Sequence, residues 1–108
     1  MNLNYPITIG IFGGGQLAKM LAQEVYRMGM NLAIIENHPN SPAGDMTKND
    51  FWRGWNDRGD LDNFIDISDI ITLENEFIDP AILEYIEQKK PVYPSSKTMR
   101  LVQDKFIQ

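Results

Sequence analysis

Three consecutive glycines at positions 13–15 directly follow a short apolar run at 7–12, and this junction constrains the fold more than any other feature. A short apolar run that stops at glycines is typical of a buried parallel strand followed by a tight turn. From Gln16 the apolar residues recur at helical spacing, and Gly29 is a natural C-terminal stop. The positions that define this helix are Leu17, Met20, Leu21 and Met28. The junction therefore predicts a strand, a glycine turn and a helix.

The alternation of strand and helix continues along the chain. Further strands are predicted at 32–36, 51–52, 70–73 and 92–93, with turn-rich or helical segments between them. Such alternation with short loops implies a parallel sheet covered by helices on both faces. The expected fold class is α/β, a Rossmann-like parallel sheet with helices on both faces, forming a single domain over residues 1–108.

Three further helices have recognisable starts. One begins at Asp57 or Asp60, and another at Asp79, where a capping carboxylate precedes a proline that needs no amide partner. Lys89 and Lys90 would lie favourably at the negative end of that helix's dipole. The last helix is expected after Ser95. The positions expected to face inward are Leu61, Phe64 and Ile65, then Ile82, Leu83 and Ile86, and finally Met99, Val102 and Phe106.

Composition excludes several classes of function. A net charge of −5 disfavours nonspecific nucleic-acid binding, which needs lysine and arginine to displace counterions. The absence of cysteine excludes disulfides, a thiol nucleophile and a zinc–thiolate site. No apolar stretch is long enough to span a membrane, and the start lacks a signal-peptide pattern, so we expect no membrane association and a cytoplasmic location.

The glycine loop allows more than one ligand. Residues 13–18 fit the pattern G-x-G-x-x-A, and Glu36 ends the second predicted strand, where a dinucleotide fold places its ribose-binding acid. NAD or FAD binding, another phosphate ligand, and glycines used only for close strand–helix packing all remain open. Gln16, a long polar side chain at the helix start, favours a specific small ligand.

A second group of polar residues follows the fourth predicted strand. Thr72, Glu74 and Glu76 alternate, so their side chains would share one side. Paired carboxylates at the ligand-binding edge of a sheet suit ribose hydroxyls, an amine or a metal, and one pKa would rise if they shared a proton. Two solvated loop acids would give the same pattern.

The remaining polar and aromatic candidates carry weaker signals. The single histidine, His38, lies in a turn and is expected to be solvated or to stabilise that turn. Trp52 and Trp55 are expected to cover the sheet edge. Lys105, on the last predicted helix, would ordinarily be part of a solvated face. No Ser/His/Asp arrangement and no metal-ligand spacing is evident.

Taken together, these segments resemble the 5-(carboxyamino)imidazole ribonucleotide synthases, ATP-grasp ligases that include the ATPase subunit of phosphoribosylaminoimidazole carboxylase. The resemblance lies in five segments: residues 9–17 with Met20 and Leu21, residues 40–43, Thr72-x-Glu74-x-Glu76, residues 91–95, and Gln103-Asp104-Lys105. They occur in the expected order across nearly the whole chain. Ala18 and Lys19 replace the glycine and arginine usual after the glycine loop, and Asn75 and Phe77 depart from the usual order around Glu76.

The resemblance implies an activity for the full-length protein. Members carboxylate the amino group of 5-aminoimidazole ribonucleotide with bicarbonate and ATP, through carboxyphosphate and with magnesium, giving 5-(carboxyamino)imidazole ribonucleotide, ADP and phosphate. Their N-terminal pre-ATP-grasp domain is Rossmann-like, binds no dinucleotide and forms part of the ribonucleotide pocket. A homodimer is expected for the full-length protein.

The resemblance also assigns roles to individual residues. The substrate-binding residues would be Gly14, Gly15, Gln16, Leu17, Glu74 and Glu76, with Glu74 on the ribose and Glu76 supporting it. Lys105 would lie beside ATP. No catalytic or metal-binding residue is expected in this chain, because the central and C-terminal ATP-grasp lobes are absent, and the fragment alone is expected to be inactive and to hold no cofactor. The competing hypotheses are an NAD(P)-binding oxidoreductase domain and a noncatalytic ligand-binding domain.

Overall fold

The structure, a computed structural model, describes residues 6–74 and 78–93. A five-stranded sheet runs through this part of the chain in the order β3-β2-β1-β4-β5, and every neighbouring pair is parallel. The strands are β1 (Thr8–Phe12), β2 (Asn31–Ile35), β3 (Asp50–Phe51), β4 (Ile70–Leu73) and β5 (Val92–Tyr93). The helices are α1 (Gln16–Arg27), α2 (Arg58–Ile67) and α3 (Pro80–Glu87), with a short 3₁₀ turn at Gly44–Met46.

The hydrophobic core has two halves, one on each face of the sheet. Alternate residues of β1 supply both, because Ile11 points to one face and Phe12 to the other. The first half contains Ile11, Ala18, Ala22, Val25, Leu32, Ile34 and Ala43. The second contains Phe12, Ala33, Ile35, Leu61, Phe64, Ile65, Ile71, Ile78, Leu83, Ile86 and Val92. Thus α1 covers one face while α2 and α3 cover the other, which confirms the predicted fold class.

The helix starts follow the predicted capping chemistry. The Asp57 carboxylate precedes α2 and accepts a hydrogen bond from the Asp60 amide at 2.9 Å. The Asp79 carboxylate precedes α3 and accepts from the Ala81 amide at 2.9 Å, with Pro80 in the first turn. The choice between Asp57 and Asp60 is therefore decided in favour of Asp57 as the cap.

The buried face of α1 differs from the one that the long apolar side chains indicate. Leu17, Met20, Leu21 and Met28 are all exposed, and the buried residues of the helix are Ala18, Ala22 and Val25. Small side chains let the helix backbone approach the sheet closely, so alanines rather than leucines fill the contact with β1 and β2. The helix was predicted correctly from its spacing, and Gly29 ends it with a φ of 77°.

Other local predictions are confirmed or shifted by a residue. Strands β4 and β5 have the predicted bounds, whereas β2 begins and ends one residue earlier, which leaves Glu36 just beyond it. Trp55 packs on Phe12 with ring centroids 4.6 Å apart, but Trp52 is exposed. The Lys90 ammonium donates to the carbonyls of Ser68 at 2.7 Å and Asp66 at 3.3 Å, so it caps the end of α2 rather than that of α3.

The helix predicted after Ser95 lies outside the described residues. Within the described ranges, no helix combines the length and the apolar character needed to cross a membrane.

Candidate ligand-binding site

The glycine loop lies where the sheet order reverses. From β1 the chain crosses to β2 on one side, and β4 later returns to the other side of β1. Loops at the carboxyl ends of strands separate at such a point and leave a crevice. Here the loop at 13–15 is flanked by Glu36, after β2, and by Glu74, after β4. The structure thus brings together two carboxylates that lie 38 positions apart in the sequence.

The loop glycines are required by close neighbours. Gly13 has a φ of 117°, which other residues rarely adopt, and a side chain there would meet the Glu74 carboxylate. A β-carbon on Gly14 would come within 2.8 Å of the Ser41 β-carbon and 3.3 Å of the Glu36 β-carbon. Gly15 precedes α1 in an extended conformation without a side-chain cap. The glycines therefore serve the packing of the protein itself as well as leaving backbone accessible at the start of the helix.

Glu36 has both carboxylate oxygens engaged by backbone amides. Oε2 accepts from the Gly14 amide at 2.9 Å, and Oε1 accepts from the Asn37 amide at 2.8 Å. In a dinucleotide-binding fold the acid at this position must accept hydrogen bonds from a ribose. The contacts of Glu36 are instead internal, which argues against the dinucleotide reading of the glycine motif.

Glu74 lies on the other side of the loop and is half-buried. Its amide donates to the Phe12 carbonyl at 3.0 Å, which extends the β1–β4 pairing by one residue and fixes the backbone from which the side chain projects. Burial, and secondarily the negative charge of Glu36, raises the pKa of the Glu74 carboxyl above its usual value. A carboxyl held at a crevice under these conditions is well placed to accept hydrogen bonds from hydroxyl or amine groups of a ligand.

Thr72 precedes Glu74 on the same side of the chain, but its hydroxyl is already engaged within the protein. Its hydroxyl donates to the Tyr93 carbonyl at 2.8 Å and links β4 to β5. Glu76 and Lys105 lie outside the described residues, so their predicted roles are untested.

An apolar groove adjoins Glu74. It has a volume of about 500 Å³ and is lined by Leu17, Met20, Leu21, Gln23, Glu24, Leu73 and Glu74. Leu17 is 64% exposed, and Gln16 is exposed one position before it, at the first turn of α1. Of the predicted substrate-binding residues, Leu17 and Glu74 line this groove, and Gly15 lies beside the Glu74 carboxylate. Gly14 is buried against Ser41 and Glu36, and Gln16 is exposed at the start of α1.

The segment after β2 closes the loop from the remaining side. Ser41 is fully buried, and its hydroxyl oxygen accepts from the Gly44 amide at 3.1 Å. The Ala43 amide donates to the Gly14 carbonyl at 3.0 Å. The segment at 40–43 therefore has a structural role: it supports the glycine loop, which the sequence alone did not predict.

Asp50, on β3, is a further acid that sequence reasoning missed. Its Oδ1 is buried and has no hydrogen-bond partner among the described residues. Burial, followed by the charges of Asp45 and Asp60, raises the pKa of this carboxyl, while His38 opposes the shift. Nothing in the sequence pattern marked this position, because its burial depends on the fold of the 3₁₀ turn above it.

A larger hollow of about 600 Å³ lies away from the glycine loop, near the amino end of β1. Its charged groups serve the fold: the Asp69 carboxylate accepts from the Thr8 amide at 2.8 Å, and Lys90 binds carbonyls of the α2 end. Across residues 6–74 and 78–93, no group of three or more acidic or histidine side chains is arranged to hold a metal ion. The crevice beside the glycine loop is therefore the better candidate site.

Comparison with known proteins gives a consistent family. The model of the ribonucleotide synthetase preATP-grasp domain matches residues 7–103. Phosphoribosylaminoimidazole carboxylase of Saccharomyces cerevisiae is 36% identical over 106 residues, which cover 94% of this chain and 18% of that protein. N5-carboxyaminoimidazole ribonucleotide synthase of Bacillus subtilis is 34% identical over 102 residues, which cover 94% of this chain and 27% of that protein.

A solved structure extends the comparison to the fold. The N5-carboxyaminoimidazole synthase of Aspergillus clavatus, in complex with ADP and 5-aminoimidazole ribonucleotide, superposes with a TM-score of 0.80 at 26% identity. The match covers 93% of this chain and 27% of that one. The chain thus spans between 18% and 27% of the length of these three proteins.

Proposed function

Because the chain belongs to the ribonucleotide synthetase preATP-grasp domain family, we propose that it forms part of the ribonucleotide pocket of an ATP-dependent carbon–nitrogen ligase. The reaction is the carboxylation of 5-aminoimidazole ribonucleotide by bicarbonate, with ATP converted to ADP and phosphate. The observation that carries the proposal is the Glu74 carboxyl, held beside the glycine loop and an apolar groove at the reversal of strand order.

Each described site residue has a part in this proposal. Glu74 accepts hydrogen bonds from the ribose hydroxyls, and the Gln16 side chain binds a polar group of the ligand. The Gly15 amide and those of the first turn of α1 face an anionic group such as phosphate, which helix N-termini favour. Leu17 gives an apolar contact at the entrance of the groove. Gly14 shapes the loop. Glu76 and Lys105, which lie outside the described residues, keep the roles that the resemblance implies, supporting Glu74 and binding beside ATP.

ATP, magnesium and bicarbonate belong to the ATP-grasp lobes in this proposal. Among the described residues, no group of three or more acidic or histidine side chains is arranged around a common point, so we assign the magnesium ligands to the other lobes. The part played by this domain is to bind and orient the ribonucleotide amine, while phosphate chemistry occurs on the other lobes. A cytoplasmic location and a full-length homodimer remain predictions.

Titration calorimetry on the full-length protein tests the proposal. We expect saturable binding of 5-aminoimidazole ribonucleotide and no binding of NAD at the same concentrations. In the Gln16→Ala variant, the ribonucleotide KM should rise about tenfold while the ATP KM stays constant, because a ligand hydrogen bond is worth about 1–1.5 kcal/mol. Micromolar NAD binding without ribonucleotide binding would instead establish the oxidoreductase alternative.

A further inference from the structure

Glu36 follows β2 at the edge of the candidate site, and its carboxylate joins two loops. Oε2 accepts from the Gly14 amide in the glycine loop, at 2.9 Å, and Oε1 accepts from the Asn37 amide in the turn after β2, at 2.8 Å. Its own amide donates to the Phe51 carbonyl on β3, at 3.3 Å. The side chain and the backbone amide of this one residue therefore link the ends of β1, β2 and β3 on one side of the crevice.

The peptide groups of the glycine loop are held from several directions. The Gly13 amide donates to the Ile35 carbonyl at 2.9 Å, and the Gly14 carbonyl accepts from the Ala43 amide at 3.0 Å. With the Glu36 contact, both the amide and the carbonyl of Gly14 have partners within the protein. The amides that remain for a ligand therefore begin at Gly15 and continue into the first turn of α1, where helices leave amides without intrahelical partners.

We propose that Glu36 is a positioning residue for the ribonucleotide site: it binds no ligand atom and instead holds the glycine loop so that the α1 amides and Glu74 face the crevice. This inference rests on the proposed function. Consecutive glycines have more conformational freedom than other residues, and the cost of ordering them would fall on ligand binding if Glu36 did not fix them beforehand. The same charge is one cause of the raised pKa of Glu74, so removing it also changes the acid on the opposite side of the loop.

The test is Glu36→Gln in the full-length protein, because glutamine keeps the shape but presents only one oxygen to the two amides. Losing one charge-assisted hydrogen bond should raise the KM for the ribonucleotide about tenfold, with kcat and the KM for ATP unchanged. The matched control is Glu84→Gln on the exposed side of α3, which makes the same chemical change away from the loop. A variant that was merely destabilised would lower activity without this separation of the two substrates.

Hydrogen exchange in the ligand-free full-length protein gives a second readout that needs no substrate. In Glu36→Gln, exchange at the Gly14 and Asn37 amides should become at least about tenfold faster, while Glu84→Gln leaves it unchanged. Unchanged exchange at both amides would show that the Glu36 carboxylate does not hold the glycine loop. Faster exchange with wild-type ribonucleotide affinity would overturn its positioning role.

The two proposals fail separately. If wild-type protein does not bind 5-aminoimidazole ribonucleotide, the proposed function fails and the positioning role for that ligand fails with it, whatever the exchange rates. If wild-type protein binds it and Glu36→Gln binds it equally well, only the positioning role is lost.

Discussion

At the scale of single residues, Glu36 and Glu74 have different partners although both are acids that follow a strand next to β1. Sequence position predicted that both would lie at the carboxyl edge of the sheet, and the structure places them there. It did not predict their partners. Glu36 meets backbone amides because the glycine loop turns towards it, whereas Glu74 meets the crevice. Such contacts depend on loop conformation and loop packing, which hydrophobic periodicity does not encode.

The raised pKa of Glu74 gives a prediction about stability. Burial and the charge of Glu36 disfavour the ionised form in the folded protein, so the folded pKa exceeds the unfolded value. The stabilising contribution of this group is therefore full below the unfolded pKa and is lost as pH rises through the folded pKa. Glu74→Gln should thus melt at a higher temperature than wild type at pH 7, and the difference should shrink as the pH falls towards the unfolded pKa.

The same variant should lose function while it keeps stability. If Glu74 binds the ribose, the ribonucleotide KM of Glu74→Gln rises about tenfold at pH 7, since a charge-assisted hydrogen bond is weakened. Thermal melts and steady-state kinetics on one preparation of full-length protein separate the two effects. A lower melting temperature at pH 7 with an unchanged KM would make Glu74 a structural residue.

At the scale of elements, most helices and strands could be predicted because their signals are local. Asp57 and Asp79 cap their helices through side-chain chemistry within three residues, and β4 has its predicted bounds. The orientation of α1 could not be predicted in this way. That helix carries apolar residues on two faces, and spacing alone does not decide between long side chains and alanines. The close approach of the helix to β1 and β2, a tertiary property, buries the alanine face.

The buried face of α1 makes a prediction for Ala22, which is fully buried. Ala22→Leu inserts three carbons between the helix and the sheet, and such overpacking costs about 1–3 kcal/mol of unfolding free energy. Met28→Gln, at a position that is 70% exposed, is the control and should change stability by less than about 0.5 kcal/mol. Denaturant titrations of the full-length variants measure both. Equal, small effects would mean that the alanine face does not form the helix–sheet contact.

At the scale of the whole molecule, strand order explains why a glycine loop, two carboxylates and an apolar groove meet. In the sheet that the described residues form, β1 is central and lies between β2 and β4. The loop after β1 is therefore flanked by the loops that follow β2 and β4. Parallel topology followed from the alternation of elements and could be predicted from the sequence. Placing the candidate site at this reversal then needed only the general rule for such sheets.

The last prediction follows from the proposed assignment of ribonucleotide binding to this domain and of phosphate chemistry to the ATP-grasp lobes. ATP-dependent carboxylation needs a cation to bridge phosphate oxygens and a grip on those phosphates. Across residues 6–74 and 78–93, no group of three or more acidic or histidine side chains is arranged to hold a metal ion, and the proposed role of this part of the chain is to bind the ribonucleotide. The 108-residue chain expressed alone should therefore release no phosphate from ATP when given 5-aminoimidazole ribonucleotide, bicarbonate and magnesium. Circular dichroism must first show that the chain is folded, and full-length protein serves as the positive control. Ribonucleotide-dependent phosphate release by the folded chain alone would contradict the assignment of phosphate chemistry to the other lobes. It would require an ATP-phosphate site within these 108 residues.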